Sequence, residues 1–332
     1  MDTTIDVKAL HIPGAEDTTL DDADPARELE SCNDLLGDPA ALHRFYEANG
    51  YLLARRLLEP GTVRHAREMM LEVAARHGLI AAGDAAATWT GKPPVTGLEE
   101  DPGFRGVSKV LFGNAENLRA LEKVLGEPPC FVPNVQHRIY PPGGPITPIH
   151  QDGFYSPGIH DYRPVWVPLT PCEREVGGLM IAVGEHRRGY FHNLAKPAPF
   201  PIPRGVIPRE SWATTDYAPG DVLIVHPYAP HASMPNTSKR LRVTFDTRVQ
   251  SSRNPTAFAG TVTAVTPGTL RMDIAELGMC TYRVDEATFI RVVHPGVNEP
   301  LSRFMDVTKP GMRLLVVFDG NHALTLRKAA EP

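Results

Sequence analysis

Cysteine is scarce and unpatterned. The 332-residue chain has four, Cys32, Cys130, Cys172 and Cys280, with no C-x-x-C among them. That spacing argues against a disulfide framework and for free thiols, so the expected location is the reducing cytoplasm. No run of eighteen apolar residues occurs, which leaves nothing to span a membrane as a helix. The N-terminus is acidic and polar without an apolar core, so no signal peptide is expected. Charge of one sign is also lacking. The net charge is −5 and the two signs are interspersed, so neither a nucleic-acid nor an anionic-membrane partner is indicated.

What the chain does have is an ordinary apolar share, 42%, and abundant proline, 33 residues. Proline at that level implies many ordered loops and strand ends, as in an all-β barrel with long connections. The length allows one large domain or two small ones, and easily buries a core. Residues 1–36 read as a polar N-terminal segment, loose or wrapped on the surface. A single domain is expected over 37–332. Its helical part covers 37–128, a jelly-roll core runs over about 129–250, and a C-terminal extension covers 251–332.

Local signals fill in that outline. Asp38-Pro39 marks a helix start and Gly50 its stop, with Leu42, Phe45 and Tyr46 on one face. Tyr51 to Leu57 reads as a short buried strand. Glu59-Pro60 opens a second helix that ends at Gly78, with Val63, Ala66, Met70, Val73 and Ala74 at helical spacing as core. Asn114 caps a third, which ends at Gly126. From Cys130 the pattern turns to short β-rich stretches between turn residues, namely 131–140, 163–169, 179–183, 222–225 and 241–249. That arrangement suggests a jelly roll. A proline-rich stretch, 195–208, reads as a stiff loop beside the barrel mouth, with a polyproline-type recognition segment as the alternative. Residues 251–332 hold further strand-like segments such as Met312 to Phe318, read as sheet extension plus a cover or an oligomer contact, which allows a homodimer.

The chemistry centres on His150-Gln151-Asp152. A histidine and a carboxylate two residues apart on a strand point to the same face. A second histidine supplied later completes two imidazoles and one carboxylate with open positions opposite, the ligand set of non-haem Fe(II) oxygenases. Alone, an H-x-D triplet in a chain with 13 histidines is as consistent with a surface turn. Its context weighs more. Tyr140-Pro-Pro-Gly-Gly-Pro145 precedes it. A Gly220-Asp221 turn follows, then the apolar strand 222–225, then His226 and His231, then a strand carrying Arg242. Both His226 and His231 are candidates for the third ligand. Arg240, Arg242 and Arg248 share one face of a regular strand, so periodicity does not choose among them.

That ordered set resembles the phytanoyl-CoA dioxygenase-like family of Fe(II)/2-oxoglutarate-dependent oxygenases. The family pattern is H-x-D, a tryptophan some sixteen residues on, G-[DN] before an apolar strand, H-x-S, and an arginine eleven residues after the distal histidine. Here it reads His150, Asp152, Trp166, Gly220-Asp221, His231, Ser233 and Arg242. Gly177-Gly178 through His186 looks like the family's glycine-turn strand, and the resemblance spans roughly residues 40 to 250.

The resemblance implies a mainly β fold with packed helices around a double-stranded β-helix (jelly roll, cupin-like) core. It selects His231 as third ligand, beside His150 and Asp152, and Arg242 with Ser233 for the distal carboxylate of 2-oxoglutarate. A buried carboxylate demands a cationic partner, and arginine gives a planar two-pronged one. Trp166, Gln136 and Lys109 are expected near the cosubstrate, and Phe154, Tyr155 and Tyr140 around the substrate. Fe(II), 2-oxoglutarate and O2 are the implied cofactor and cosubstrates, and the implied reaction oxidises a C–H bond of a small metabolite. Halogenating relatives lack the carboxylate ligand. Asp152 is present, so hydroxylation, desaturation or ring formation is favoured. Two other readings stay open: a cupin-like metal isomerase or hydrolase, which would not need Arg242, and a non-catalytic binding barrel.

Overall fold

The computed structural model describes residues 25–94, 96–191, 194, 202 and 206–329. Most of the polar N-terminal segment and most of the proline-rich stretch 195–208 therefore lie outside the described residues.

Three sheets organise the molecule. The major barrel sheet runs β2 (Tyr51–Ala54), β7 (Val222–Val225), β4 (Arg163–Pro168), β9 (Arg242–Gln250) and β3 (Cys130–Tyr140), antiparallel throughout. Facing it is a minor sheet of β1 (Arg27–Glu28), β6 (Trp212–Thr214), β5 (Leu179–Ala182) and β8 (His231–Ser233). Together they form the jelly roll. The third sheet belongs to the last eighty residues. Its order is β12 (Gly278–Arg283), β11 (Thr269–Ile274), β10 (Ala257–Thr266), β14 (Arg313–Asp319), β15 (His322–Lys328) and β13 (Phe289–Arg291). The tail thus extends neither barrel sheet. It closes a core of its own around Leu270, Met272, Ile290, Leu314, Val316 and Leu326, and its opposite face lies on the barrel.

Four helices cover the outer face of the major sheet: α1 (Pro39–Asn49), α2 (Pro60–Arg76), α3 (Val107–Phe112) and α4 (Ala115–Leu125). A fifth, α5 (Phe304–Val307), packs in the tail. Their ends follow from capping chemistry. The Asp38 side chain accepts the Ala41 N–H, Pro39 occupies the first turn, and Gly50 closes α1 with a left-handed φ of 79°. Asn114 accepts two N–H groups at the start of α4. The short helix α3 was not foreseen, because it lies at the end of an Ala/Gly/Pro-rich stretch with too little periodicity to read.

The period-two alternation of the strands decides what reaches the barrel interior. Val165, Val167, Val222, Ile224, Val243 and Phe245 are buried against the helices. Trp166, Leu223 and Val225, one residue out of phase, face inward with Leu53 and Ile181. On β9 the same parity sends Arg242, Thr244, Asp246 and Arg248 to the interior cavity.

Candidate active site

His150, Asp152 and His231 come together with one ligand atom from each lying within 4.8 Å of the others, all three residues buried. Among the described residues no other such group of histidine, cysteine and carboxylate side chains occurs. His150 and His231 form an antiparallel backbone bridge, each donating its N–H to the other's carbonyl at 3.0 Å. Their rings are 4.2 Å apart.

The expectation that Asp152 shares a strand with His150 is corrected. Asp152 opens a 3-10 turn, Asp152–Phe154, directly after the bridge. The His150 Nε2 to Asp152 Oδ1 distance is 3.4 Å. Both imidazoles are oriented from behind. His150 Nδ1 lies 2.8 Å from the Pro148 carbonyl and His231 Nδ1 lies 3.0 Å from that of Ala229. A carbonyl only accepts, so each Nδ1 carries the proton and each Nε2 lone pair is free for a metal. Burial, then the His150 ring, lowers the His231 pKa to about 4, which keeps that imidazole neutral. Burial raises the Asp152 carboxyl, but the adjoining His150 ring and the Arg248 charge more than offset it, leaving it well below the usual range.

The residue between the ligand candidates was missed by sequence reading. Gln151 is fully buried and points the opposite way. Its amide donates to the carbonyls of Gly189 at 2.8 Å and Tyr228 at 2.6 Å, and its oxygen accepts the Phe191 N–H at 2.7 Å. It ties the chain leading to His231 to the roof segment 189–191. The signal was available in principle, since a buried amide between two inward residues must face the opposite side.

Arg242 is 2% exposed and pairs with no carboxylate among the described residues. Its guanidinium donates to Ser233 Oγ at 2.9 Å and to the carbonyls of Gly177, Gly178 and Met234. It also lies 4.3 Å from the centroid of the Tyr140 ring. Gly177, at φ 75°, is required here. A Cβ would strike the Met234 and Pro235 carbonyls, so only glycine lets that backbone close around the guanidinium. Burial pulls the Arg242 pKa below its ordinary value. Arg242 Nε and Thr244 Oγ1 are buried without hydrogen-bond partners. A cation and polar atoms left in this state beside a metal-ligand cluster fit a dianionic cosubstrate. The three arginines left open by periodicity now separate. Arg240 sits at the surface, 2.8 Å from Glu173. Arg248 is buried inside near Asp152. Arg242 alone faces Ser233.

Other expected residues divide. Trp166 is 5% exposed, lines the cavity and packs edge-on to Tyr217. Gln136 accepts from Arg138 and from Arg248. Tyr140 lines the cavity too, but at the Arg242 end, its hydroxyl 2.8 Å from Thr147 Oγ1. Tyr155 stands beside His150, with ring centroids 5.9 Å apart. Two expectations are corrected. Lys109 is exposed on α3, on the helical layer outside the barrel, because the apolar residues Val107 and Leu111 turn the opposite face inward. Phe154 is 1% exposed and packs with Tyr190 and Leu194, away from the cavity. The 3-10 turn rotates successive side chains by about 120°, so Phe154 cannot share the direction of Asp152. Sequence reading also missed Arg138 and Asp246, which pair at 2.6 Å inside the mouth. Both follow the parity of Gln136 and Arg242, so strand alternation could have found them.

Comparison with known proteins agrees with the geometry. The crystal structure of AviO1 from Streptomyces viridochromogenes Tue57 has a TM-score of 0.47 at 17% identity, covering 66% of this chain and 97% of that one; this distant likeness says nothing of function. Two 1-deoxypentalenic acid 11-beta-hydroxylases are much nearer in sequence. That of Streptomyces exfoliatus is 33% identical over 264 residues, covering 71% of this chain and 89% of its own. That of Streptomyces arenae is 33% identical over 269 residues, with the same coverage. The family model for phytanoyl-CoA dioxygenase matches residues 46–244, which contain the whole triad and Arg242. With that match, and with two imidazoles, a carboxylate and an arginine without a carboxylate partner among the described residues in one cavity, the chain belongs to the phytanoyl-CoA dioxygenase family and is an Fe(II)- and 2-oxoglutarate-dependent oxygenase acting on a small molecule.

Proposed function

We propose that this oxygenase hydroxylates a C–H bond of a small, largely apolar molecule bearing one acid group. In this reading His150, Asp152 and His231 hold Fe(II), and Arg242 with Ser233 holds the distal carboxylate of 2-oxoglutarate. The observation that carries it is Arg242, a buried cation without a carboxylate partner among the described residues, set in the same cavity as the triad. When bound, the iron and oxo acid supply the oxidising chemistry with O2. The chain's part is to bind, orient and keep water out. Asp152 supplies the anionic ligand, while Gln151 and the two backbone carbonyls keep the imidazoles turned toward the centre.

The acid group follows from charge. Arg138, Arg242 and Arg248 line the cavity against Asp152 and Asp246. A divalent cation and a dianionic oxo acid cancel each other, so one positive charge is left to be met by the substrate. The acid named in the hydroxylase relatives supports the same inference. A groove of about 450 Å³ shares Arg138 and Tyr140 with the cavity and offers Leu98, Phe104, Val135 and Ile139 to a hydrocarbon body. The same reading places the enzyme in the cytoplasm, consistent with its four free cysteines. It also includes a homodimer, which light scattering would check.

The test is Arg242→Ala. Iron binding needs only the triad and should persist. The lost charge-assisted anchor contributes roughly 1.5–3 kcal/mol, so apparent affinity for 2-oxoglutarate should fall at least about tenfold. Pyruvate, which lacks the distal carboxylate, should be penalised far less. An unchanged 2-oxoglutarate dependence, with Arg248→Ala raising it instead, would move the anchor to Arg248.

A further inference from the structure

The C-terminal sheet meets the barrel on a face that is apolar at Leu315, Val317, Ala257 and Ala259. At one end that face changes character. β13 and β15 run parallel, with Arg291 in register with Arg327 and Phe289 in register with Thr325. These positions project away from the tail's own core, which takes Ile290 and Leu326. Arg291 is 1% exposed and Arg327 is buried, and neither has an ion-pair partner among the described residues.

Both arginines reach the turn that carries Asp152. Arg291 donates to the Phe154 carbonyl and, at 3.1 Å, to that of Leu194. Its guanidinium lies between two aromatic rings, 4.7 Å from the centroid of Phe154 and 5.0 Å from that of Phe289. Arg327 donates to Ser156 Oγ at 2.5 Å, and Thr325 donates to the Pro157 carbonyl at 2.8 Å. Residues 154, 156 and 157 are thus each held from the tail. From the barrel side, Gly153 donates its N–H to the Pro227 carbonyl at 2.9 Å.

Two buried, unpaired guanidinium groups side by side are costly, and apolar residues of similar volume would pack such an interface at least as well. What arginine adds is direction. A rigid fork of donors fixes a backbone carbonyl where methionine or leucine would only fill space. We infer that the C-terminal sheet is a positioning element for the metal centre, with Arg291, Arg327 and Thr325 fixing the 152–157 turn so that the Asp152 carboxylate meets the two imidazoles. These residues lie outside the segment matched by the family model, which ends at residue 244. The inference rests on Asp152 being a metal ligand, as proposed above.

Cobalt(II), a redox-stable stand-in for Fe(II), provides the test, titrated into the metal-free full-length protein and followed by its visible absorption. Arg291→Met should weaken cobalt binding about ten- to a hundredfold, as loss of a group that orients a metal ligand does, and Arg291→Lys should recover part of it. Val316→Ala, in the tail's own core, should lower the unfolding temperature while leaving cobalt affinity within about twofold. Thr325→Val, which removes one hydrogen bond at constant shape, should weaken cobalt binding about threefold. It also serves if Arg291→Met does not fold. Cobalt binding by Arg291→Met and Thr325→Val as tight as wild type, or tighter, overturns the inference and leaves the sheet a stabilising cover. If Asp152→Ala itself binds cobalt like wild type, the ligand assignment fails instead.

Discussion

On β9, Val243 and Phe245 face the helical layer while Arg242, Thr244, Asp246 and Arg248 face the cavity, all within seven consecutive residues. The outer face is mainly aliphatic and aromatic, with Phe245 meeting Phe112 and the His137 imidazole. The inner face buries charge and leaves hydrogen-bonding atoms unpartnered. Burial stabilises the first face and costs the second, so one strand supplies both the fold's stability and the site that stability has to support. The comparison predicts that substitutions will separate cleanly by parity.

The largest effect should come from the inner side of the barrel. His231→Ala removes a ligand candidate, and both bound metal and turnover should fall below detection while the chain stays folded. His226, five residues earlier, packs against His186 with ring centroids 4.6 Å apart and accepts the Tyr228 N–H at 3.1 Å. His226→Ala should keep its metal, measured by metal analysis after gel filtration. Equal metal loss in both variants would mean the wrong histidine has been assigned. Phe245→Ala, on the outer face, should do the reverse. It should lower stability in chemical denaturation by about 3–5 kcal/mol and leave the 2-oxoglutarate KM of the folded fraction unchanged. A shifted KM would break the division between the faces.

The smallest effect sharpens the comparison through pH. His137 is on the outer parity of β3, stacked on Phe104 with centroids 4.9 Å apart. Burial lowers its pKa to about 4, with the Asp246 charge opposing. The unfolded chain takes up this proton near pH 6.5 and the folded chain only near pH 4, so stability is lost as pH falls through that window and is constant above it. His137→Phe should make the unfolding temperature less sensitive to acid between about pH 6.5 and 4 without affecting it at pH 8. Sensitivity will not vanish, because His226 is likewise held down, to about pH 3, by burial.

The helices α1, α2 and α4 were legible because each carries its own cap and apolar stripe, information held within a dozen residues. Most of the major-sheet strands were legible for the same reason. His150 and Asp152 were legible as a local triplet, while the choice of His231 over His226 came from the family resemblance. Arg242 was not separable from Arg240 and Arg248 by periodicity, since what distinguishes them lies across the barrel: Glu173 beside one, Asp152 near another, Ser233 beside the third. Lys109 went wrong where a loose motif was followed without a face to test it against. The tail was the least readable part. It carries no metal motif, and the purpose of Arg291 and Arg327 exists only at a contact with residues more than a hundred positions away.

The backbone bridge between His150 and His231 has a consequence for how the site comes into being. The two residues are separated by 81 positions, and joining the ends of such a loop costs about 4 kcal/mol in chain entropy. The bridge, two backbone hydrogen bonds contributing about 0.5–1.5 kcal/mol each, offsets part of that cost, and packing of the two barrel sheets offsets the rest. In the proposed reading, iron meets two strands that the fold has already joined and need not draw them together. An unfolded or half-made chain presents His150 and Asp152 without His231 beside them and holds metal poorly. Loading then becomes the last event of maturation, and bound iron stabilises the finished topology over every earlier species on the folding path.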